Sequence, residues 1–502
     1  MPHPLNIQNL SFSYPNSSAL ILKNINLEFN IGWSAIIGAN GCGKSTLLKL
    51  IAKELVADEG TIKGNELVHS CVQNTAIEPI GFSDFMTTYN SKAFKIRNSL
   101  EIKDEWLGMW KFLSHGQRKR VQIAISLFAE PDILTLDEPT NHLDGKSKKI
   151  VIEALKSFNG IGILVSHDRA LLDKLCKNTV ILKDAKAVVF KMNYSTAMHE
   201  YTQGCEHLRN AQNQRDEEIK KLKKRINLQQ EKVQKSKQRL SKKGLDAHDS
   251  DAKEKINLAK LTGKDKNDGQ ILKRSLTKYR HLKENSIALD KNYRLGISFE
   301  AQGTKKLFPL FIGQGILSIY EKQKVVFSNM RIDECDKIGI IGENGSGKSS
   351  FIDYLLENID QKGNVFYIPQ EITKEQGEKL LSEINNLSKE KKGEIFTIVT
   401  RLSSNPKILL ESCSPSPGET RKLLLAKALL AKPSLIILDE PTNHMDLNSI
   451  EALENALKEY TGTLILVSHD EIFLQNTTSK IWSFEELDSE VYEIKELTPD
   501  FY

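Results

Sequence analysis

The stretch Gly38-Ala39-Asn40-Gly41-Cys42-Gly43-Lys44-Ser45 decides the reading of this chain, because it recurs as Gly342-Glu343-Asn344-Gly345-Ser346-Gly347-Lys348-Ser349. Both copies fit G-x-x-x-x-G-K-[ST]. Each follows an apolar run, Ser34-Ala35-Ile36-Ile37 or Ile338-Gly339-Ile340-Ile341, and each opens a helix-like segment at Thr46 or Ser350. Strand, glycine turn and helix start are the context the motif requires. The glycines let successive N–H groups curl round a phosphate, and the helix end adds partial positive charge. Lys44 and Lys348 can reach β- and γ-phosphates, while Ser45 and Ser349 can hold Mg²⁺. Two matches in one context make chance negligible. The nucleotide-binding candidates are Gly38, Asn40, Gly41, Gly43, Lys44, Ser45 and Thr46, with Gly342, Asn344, Gly345, Gly347, Lys348, Ser349 and Ser350 in the second copy.

Upstream, Tyr14 lies 30 positions before Lys44 and could stack on a nucleotide base, with Tyr320, 28 positions before Lys348, as its counterpart. A core role is the other reading of either ring. Downstream, the same landmarks follow each loop: Gln73 and Gln370, then Ser114-His115-Gly116-Gln117 and Ser416-Pro417-Gly418-Glu419. Next come apolar runs ending in Asp137-Glu138 and Asp439-Glu440, then Asn141–Asp144 and Asn443–Asp446, then Ser166-His167-Asp168 and Ser468-His469-Asp470. From Ser114 to Ser416, Glu138 to Glu440 and His167 to His469 the offset is 302 each time. A period that long means two duplicated domains rather than a solenoid. Each half alternates strands and helices, as a largely parallel α/β domain does. Asp137 and Asp439 end apolar strands, where a carboxylate can hold Mg²⁺. Glu138 and Glu440 follow directly and are placed as general bases for an attacking water. His167 and His469, at matching offsets, are candidates to contact that water or the γ-phosphate.

Composition sets the class. Of 502 residues, 39% are hydrophobic and 27% charged, which reads as soluble and globular. No apolar run approaches the ~20 residues of a membrane span. The six cysteines show no metal-ligand spacing, so reduced thiols and a cytoplasmic location are expected. The net charge of +5 is unevenly spread: residues 205–290 carry 23 Lys/Arg against 13 Asp/Glu. One basic segment with an anionic partner is the implication.

That segment differs in kind from the halves it joins. From Glu206 to Leu240 there is no Pro or Gly, and Ile219, Leu222, Ile226, Val233 and Leu240 fall on the a and d positions of one heptad frame. Gln229 and Ser236 fill the remaining seam sites. A second run from about Gln270 to Leu289 keeps a similar frame through Leu272, Tyr279, Leu282 and Leu289. The spacing predicts an antiparallel helical hairpin with a polar tip at about 243–268. The expected domains are 1–204, the linker 205–295, and 296–502.

The order phosphate loop, glutamine, Ser-x-Gly-Gln/Glu, strand-Asp-Glu and Ser-His-Asp resembles the ATP-binding cassette (ABC) superfamily over both halves. That resemblance implies a head-to-tail sandwich of two cassettes within a monomer. Each ATP would lie between one phosphate loop and the other half's signature. Lys44 would then share a nucleotide with Ser416, Gly418 and Glu419, and Lys348 with Ser114, Gly116 and Gln117. Gln73 and Gln370 would join Ser45, Asp137, Ser349 and Asp439 around Mg²⁺. His115 and Pro417 replace the usual first signature glycine. Two cassettes on one chain, no membrane span and a basic helical linker resemble the ABC-F family of translation factors. Asn-His-Leu/Met-Asp after each Glu-Pro-Thr, and Tyr194-Ser195-Thr196 before the linker, look like that family too. The resemblance implies an ATP-closed form that binds the ribosome's tRNA exit site and is released by hydrolysis. Its linker would reach towards the P-site tRNA and peptidyl-transferase centre. Lys220, Lys221, Lys223, Lys224, Arg225, Lys242 and Lys243 suit contacts to rRNA or tRNA phosphates. The short spans between each glutamine and signature look more like the ribosome-protection, antibiotic-resistance group. A competing reading is the ATPase subunit of an ABC transporter working with separate membrane proteins, although such a subunit needs no basic insert.

Overall fold

The computed structural model describes residues 3–15, 20–64, 67–141, 143–239, 264–284, 307–319, 323–359, 365–402, 404, 415–488 and 490–497, with backbone alone at 233, 235–239, 264–269 and 284. It forms two compact units, Met1–Ala197 with Tyr293–Tyr502, and Met198–Asn292.

The first unit holds both halves of the repeat, each built on a mostly parallel sheet. In the first half the strand order is Val68–Cys71, Ile133–Asp137, Ile161–Val165, Gly32–Gly38, Cys176–Lys183, Lys186–Phe190, and only the last pairing is antiparallel. In the second, Val365–Ile368, Leu435–Asp439, Thr463–Val467, Lys337–Gly342 and Lys480–Asp488 repeat that order. Strands Ile133–Asp137, Ile161–Val165, Leu435–Asp439 and Thr463–Val467 are near-continuous apolar runs because helices cover both faces of a parallel sheet. Register places the functional ends side by side: Asp137 lies opposite Val165, and Asp439 opposite Val467. A second, antiparallel sheet in the first half, Leu22–Phe29, Leu5–Phe12 and Glu59–Lys63, packs Leu5, Ile7, Leu10 and Phe29 into the core beside Leu47 and Ile51. Tyr14 sits just past its first strand.

The other unit is helical. The helix Tyr194–Arg239 starts earlier than the polar run suggests, and the returning helix is Lys264–Glu284. Its start is anchored by tertiary contacts: Tyr194 is 3% exposed, and the Ser195 N–H donates to Asp173. Those contacts offset the weakness of Gly204 within the helix. Ile219, Leu222, Ile226 and Gln229 are the covered positions of their turns, as are Leu272, Ser275, Leu276, Tyr279 and Leu282 of the returning helix. Ser275 Oγ donates to Gln229 (3.2 Å), and Lys278 pairs with Glu218 (2.7 Å). Ascending numbers on one helix meet descending numbers on the other, so the pair is antiparallel. Leu240, Lys242, Lys243, Leu289 and residues 243–263 of the expected tip 243–268 lie outside the described residues, as does Tyr320, whereas 264–268 belong to the returning helix rather than to a tip.

Candidate functional site

Each phosphate loop ends on a glycine in the left-handed region, Gly43 at φ 100° and Gly347 at φ 95°, which caps the helix Lys44–Ile51 or Lys348–Glu357. Only glycine fits: a Cβ on Gly43 would lie 2.7 Å from Ile21 Cγ2. The lysines fold back over their loops. Lys44 Nζ donates to Gly38 O (2.8 Å) and Ala39 O (3.1 Å), and Lys348 Nζ to Gly342 O (2.9 Å) and Glu343 O (2.8 Å). Both ammonium groups therefore sit above the ring of backbone N–H groups where a phosphate fits. Ser45 and Ser349 remain exposed, and Ser349 Oγ donates to Asp439 Oδ2 at 2.7 Å. Burial holds the Asp439 carboxyl above its ordinary range. A serine hydroxyl against an aspartate is a donor set suited to Mg²⁺. Tyr14 OH lies 3.2 Å from Thr46 Oγ1, which fixes its ring at the edge of the loop.

Beyond the adjacent strand ends, Glu138 and Glu440 each take φ 48°, a conformation uncommon for a residue with a Cβ. Backbone bonds hold them there: the Glu138 N–H donates to Val165 O (2.9 Å) and the Glu440 N–H to Val467 O (3.0 Å). Burial pushes Glu138 up to about 8 and Glu440 up to about 7. Burial, with the neighbouring lysines, pushes His167 and His469 down to about 3, so both imidazoles are neutral. The His167 N–H donates to Glu138 Oε2 (3.3 Å), and His469 Nε2 lies 3.1 Å from Asn344 Oδ1. Glu138 Oε1 and Glu440 Oε1 are buried and accept no well-aligned hydrogen bond among the described residues, although His167 Nε2 lies 3.3 Å from the first and His469 Nε2 3.6 Å from the second. A buried carboxyl oxygen beside a neutral imidazole, on an acid that titrates near neutrality, suits a base for water.

The two halves meet across these loops. The Asn40 N–H points at Asp446 Oδ2 (3.5 Å) and Asn40 Nδ2 donates to His444 O (3.0 Å); in mirror fashion the Asn344 N–H donates to Asp144 Oδ2 (3.3 Å). Asp144 and Asp446 also cap the helices that follow them, accepting from the N–H of Ser147 and Ser449. The first half supplies cations and the second anions: Arg169–Glu454 (2.6 Å), Lys146–Glu343 (3.4 Å) and Lys149–Glu471 (3.7 Å). Lys148 pairs with Asp168 at 3.1 Å and donates to His469 O at 3.3 Å. A small polar cavity on this seam is lined by Glu138, His167, Gln370, Glu440 and His469. Gln73 is not on its wall and is exposed.

Both signatures begin helices. Ser114 and Ser416 are N-caps whose hydroxyls accept from the N–H of Gln117 and Glu419, and those side chains accept from the cap N–H in return. His115 and Pro417 leave this geometry intact, Pro417 because the first turn needs no donor from it. Gly418 is sterically fixed: a Cβ there would lie 2.6 Å from His444 O and 3.8 Å from Asn40 Nδ2. The second signature thus stands beside the first phosphate loop. Gly116 has more room, its nearest neighbour being Leu143 Cδ2 at 3.2 Å. In the helical unit Lys220, Lys221, Lys223, Lys224 and Arg225 are all exposed. Sequence reasoning missed Asp144, His444, Asp446, Lys148 and Arg169 as interface residues. The repeat of Asn141–Asp144 at Asn443–Asp446 marked three of them, but only docking of the halves shows what they meet.

A family model described as ABC transporter matches residues 22–141 and 327–443, which contain both phosphate loops and both Asp-Glu pairs. The chain is 31% identical to the ATP-binding protein Uup of Buchnera aphidicola subsp. Schizaphis graminum, over 96% of this chain and 81% of that one. It is 30% identical to the ribosome protection protein VmlR of Bacillus subtilis, over 93% of this chain and 84% of that one. Among solved structures, the complex of archaeal ribosomal stalk protein aP1 with the archaeal ribosome recycling factor aABCE1 shares the fold, with a TM-score of 0.62, 17% identity, and coverage of 98% and 90%. No described helix is long and apolar enough to cross a membrane. The chain belongs to the ABC-F family: it is an ATP-hydrolysing protein with two ATP-binding cassettes joined by a helical hairpin.

Proposed function

We propose that this ATPase acts on the ribosome, binding at the tRNA exit site with ATP bound and the cassettes closed, and leaving after hydrolysis. The observation that carries the reading is the reciprocal hold of each phosphate loop by the other half, through Asn40 with His444 and Asp446, and through Asn344 with Asp144. ATP placed on either loop would touch both halves and hold them together. Lys44 and Lys348 bind its terminal phosphates, Ser416, Gly418 and Glu419 close on the first site, and Ser114, Gly116 and Gln117 on the second. Tyr14 flanks the base of the first nucleotide, and Tyr320 takes that role at the second. Ser45, Asp137 and Gln73, and Ser349, Asp439 and Gln370, would hold Mg²⁺, which neutralises phosphate charge when bound. Glu138 and Glu440 take the proton of the attacking water through Oε1, and neutral His167 and His469 orient it.

The likeness to VmlR over nearly the whole chain supports ribosome protection against peptidyl-transferase drugs as the cellular role, carried out in the cytoplasm. The basic hairpin reaches towards P-site tRNA, and Lys220, Lys221, Lys223, Lys224, Arg225, Lys242 and Lys243 meet rRNA or tRNA phosphates. Raising the ionic strength is expected to weaken ribosome binding steeply, because each phosphate contact releases counterions. Sedimentation of ribosomes with the ATP-loaded protein over a salt series tests this. Binding independent of salt would contradict the reading.

A further inference from the structure

One buried guanidinium in the second cassette has no equivalent arrangement among the described residues of the first. Arg421 lies on the signature helix Pro417–Ala431 and is 2% exposed. Its two terminal nitrogens leave in different directions: Nη2 donates to Gln370 O at 2.6 Å, and Nη1 to Asn443 O at 2.6 Å. Gln370 belongs to the glutamine loop of the Lys348 site. Asn443 is one peptide bond from His444, whose carbonyl accepts from Asn40 Nδ2 in the phosphate loop of the Lys44 site. The residue 302 positions earlier, Lys119, is equally buried, yet it donates to Val72 O at 2.7 Å and to Gln122 Oε1 at 3.5 Å. A single-headed ammonium at that place holds the glutamine loop; the forked guanidinium holds the glutamine loop and the crossing segment together.

We propose that Arg421 is a positioning residue that couples the two ATP sites, tying Gln370 of the Lys348 site to the Asn443–His444 segment that braces the Lys44 site. The proposal rests on the reading of Gln370 and Asn40 as members of those sites. Arg421 touches no nucleotide group itself. A rigid planar fork with both donors engaged cannot follow one carbonyl without drawing the other. Movement of the Gln370 backbone when the Lys348 site fills or empties therefore shifts the Asn443–His444 peptide, and with it the grip on Asn40. Binding coupling of this kind is reciprocal, so filling the Lys44 site equally steadies Gln370.

Single-site enzymes isolate the effect. Glu440→Gln leaves hydrolysis to the Lys44 site, and Glu138→Gln leaves it to the Lys348 site. In the Glu440→Gln protein, Arg421→Met is expected to lower kcat about ten-fold while KM for ATP stays within about two-fold, since every group that touches the nucleotide is retained. Arg421→Lys, able to reach one carbonyl, should fall between. Asn40→Ala removes the amide that reads His444, and in that background Arg421→Met should slow the Lys44 site by less than about two-fold further. If Arg421→Met slows the Lys348 site alone, the guanidinium serves its own glutamine loop and the proposal is overturned. Equal losses at the Lys44 site with and without the Asn40 amide overturn it as well. If Arg421→Met does not fold, the same comparisons made with Arg421→Lys decide. Failure of the underlying site reading shows separately, as full hydrolysis by the protein carrying both Glu138→Gln and Glu440→Gln.

Discussion

In the proposed mechanism Glu138 and Glu440 carry the chemistry, and three local facts coincide at each. The residue follows a buried strand, its N–H is bonded to the neighbouring strand, and its side chain is buried with one oxygen facing only a neutral histidine. Glutamine preserves the shape and removes the base. Replacing both by Gln is expected to lower ATP turnover by at least about 10²-fold, the usual worth of a positioned base, while a fluorescent ATP analogue still binds. Loss of analogue binding would instead assign the glutamates to folding. Gly418 makes a second, steric prediction. Its missing Cβ leaves room for His444 O at 2.6 Å, an unyielding backbone atom, so Gly418→Ala should impair closure at the Lys44 site. Gly116→Ala meets only the end of Leu143, which can turn aside. Steady-state ATPase assays should therefore rank Gly418→Ala well below Gly116→Ala, by about ten-fold.

At the scale of elements, the seam between the cassettes depends on which ion pairs are covered. Arg169 and Glu454 are 11% and 14% exposed, whereas Lys149 and Glu471 are 69% and 52% exposed. Removing one partner of a covered pair strands the other, at a cost of about 3 kcal/mol, while an exposed pair is worth under about 1 kcal/mol. Arg169→Ala should thus weaken ATP-driven closure strongly and Lys149→Ala barely, as read by a disulfide or fluorescence probe across the seam. The phosphate loops and their strands were legible in the sequence because a loop that wraps phosphate with its own backbone is specified locally. The heptad seam was legible for the same reason, and Ile219, Leu222, Ile226 and Leu272 do face inward. The first twelve residues of the long helix were not, since Tyr194 and Ser195 are ordered by contacts distant in sequence. Nor were Arg169, Lys148 and Arg421. Arg169 and Lys148 meet Glu454 and His469 of the other half, chosen by docking rather than by spacing, and Arg421 bonds backbone carbonyls that no side-chain pattern marks. Gln73 and Gln370 are both exposed, but only Gln370 lines the cavity, a difference between the repeats that matching landmarks concealed.

For the whole molecule, the cassettes and the helical hairpin divide the work. In the proposed mechanism hydrolysis uses only residues of the first unit, so deleting 243–268, mostly beyond the described residues, should leave ATP turnover unchanged. The same deletion should abolish any effect on translation in a cell-free system. If it stops hydrolysis too, the hairpin is part of the ATPase core. In the proposed cycle the two are joined: ATP closes the cassettes, and the closed form holds the ribosome. Sedimentation of the protein carrying Glu138→Gln and Glu440→Gln through a sucrose cushion with 70S ribosomes and ATP tests it most directly. The account predicts that this variant pellets with ribosomes in ATP and stays behind in its absence. A variant that binds ATP yet remains in the supernatant under both conditions would contradict it.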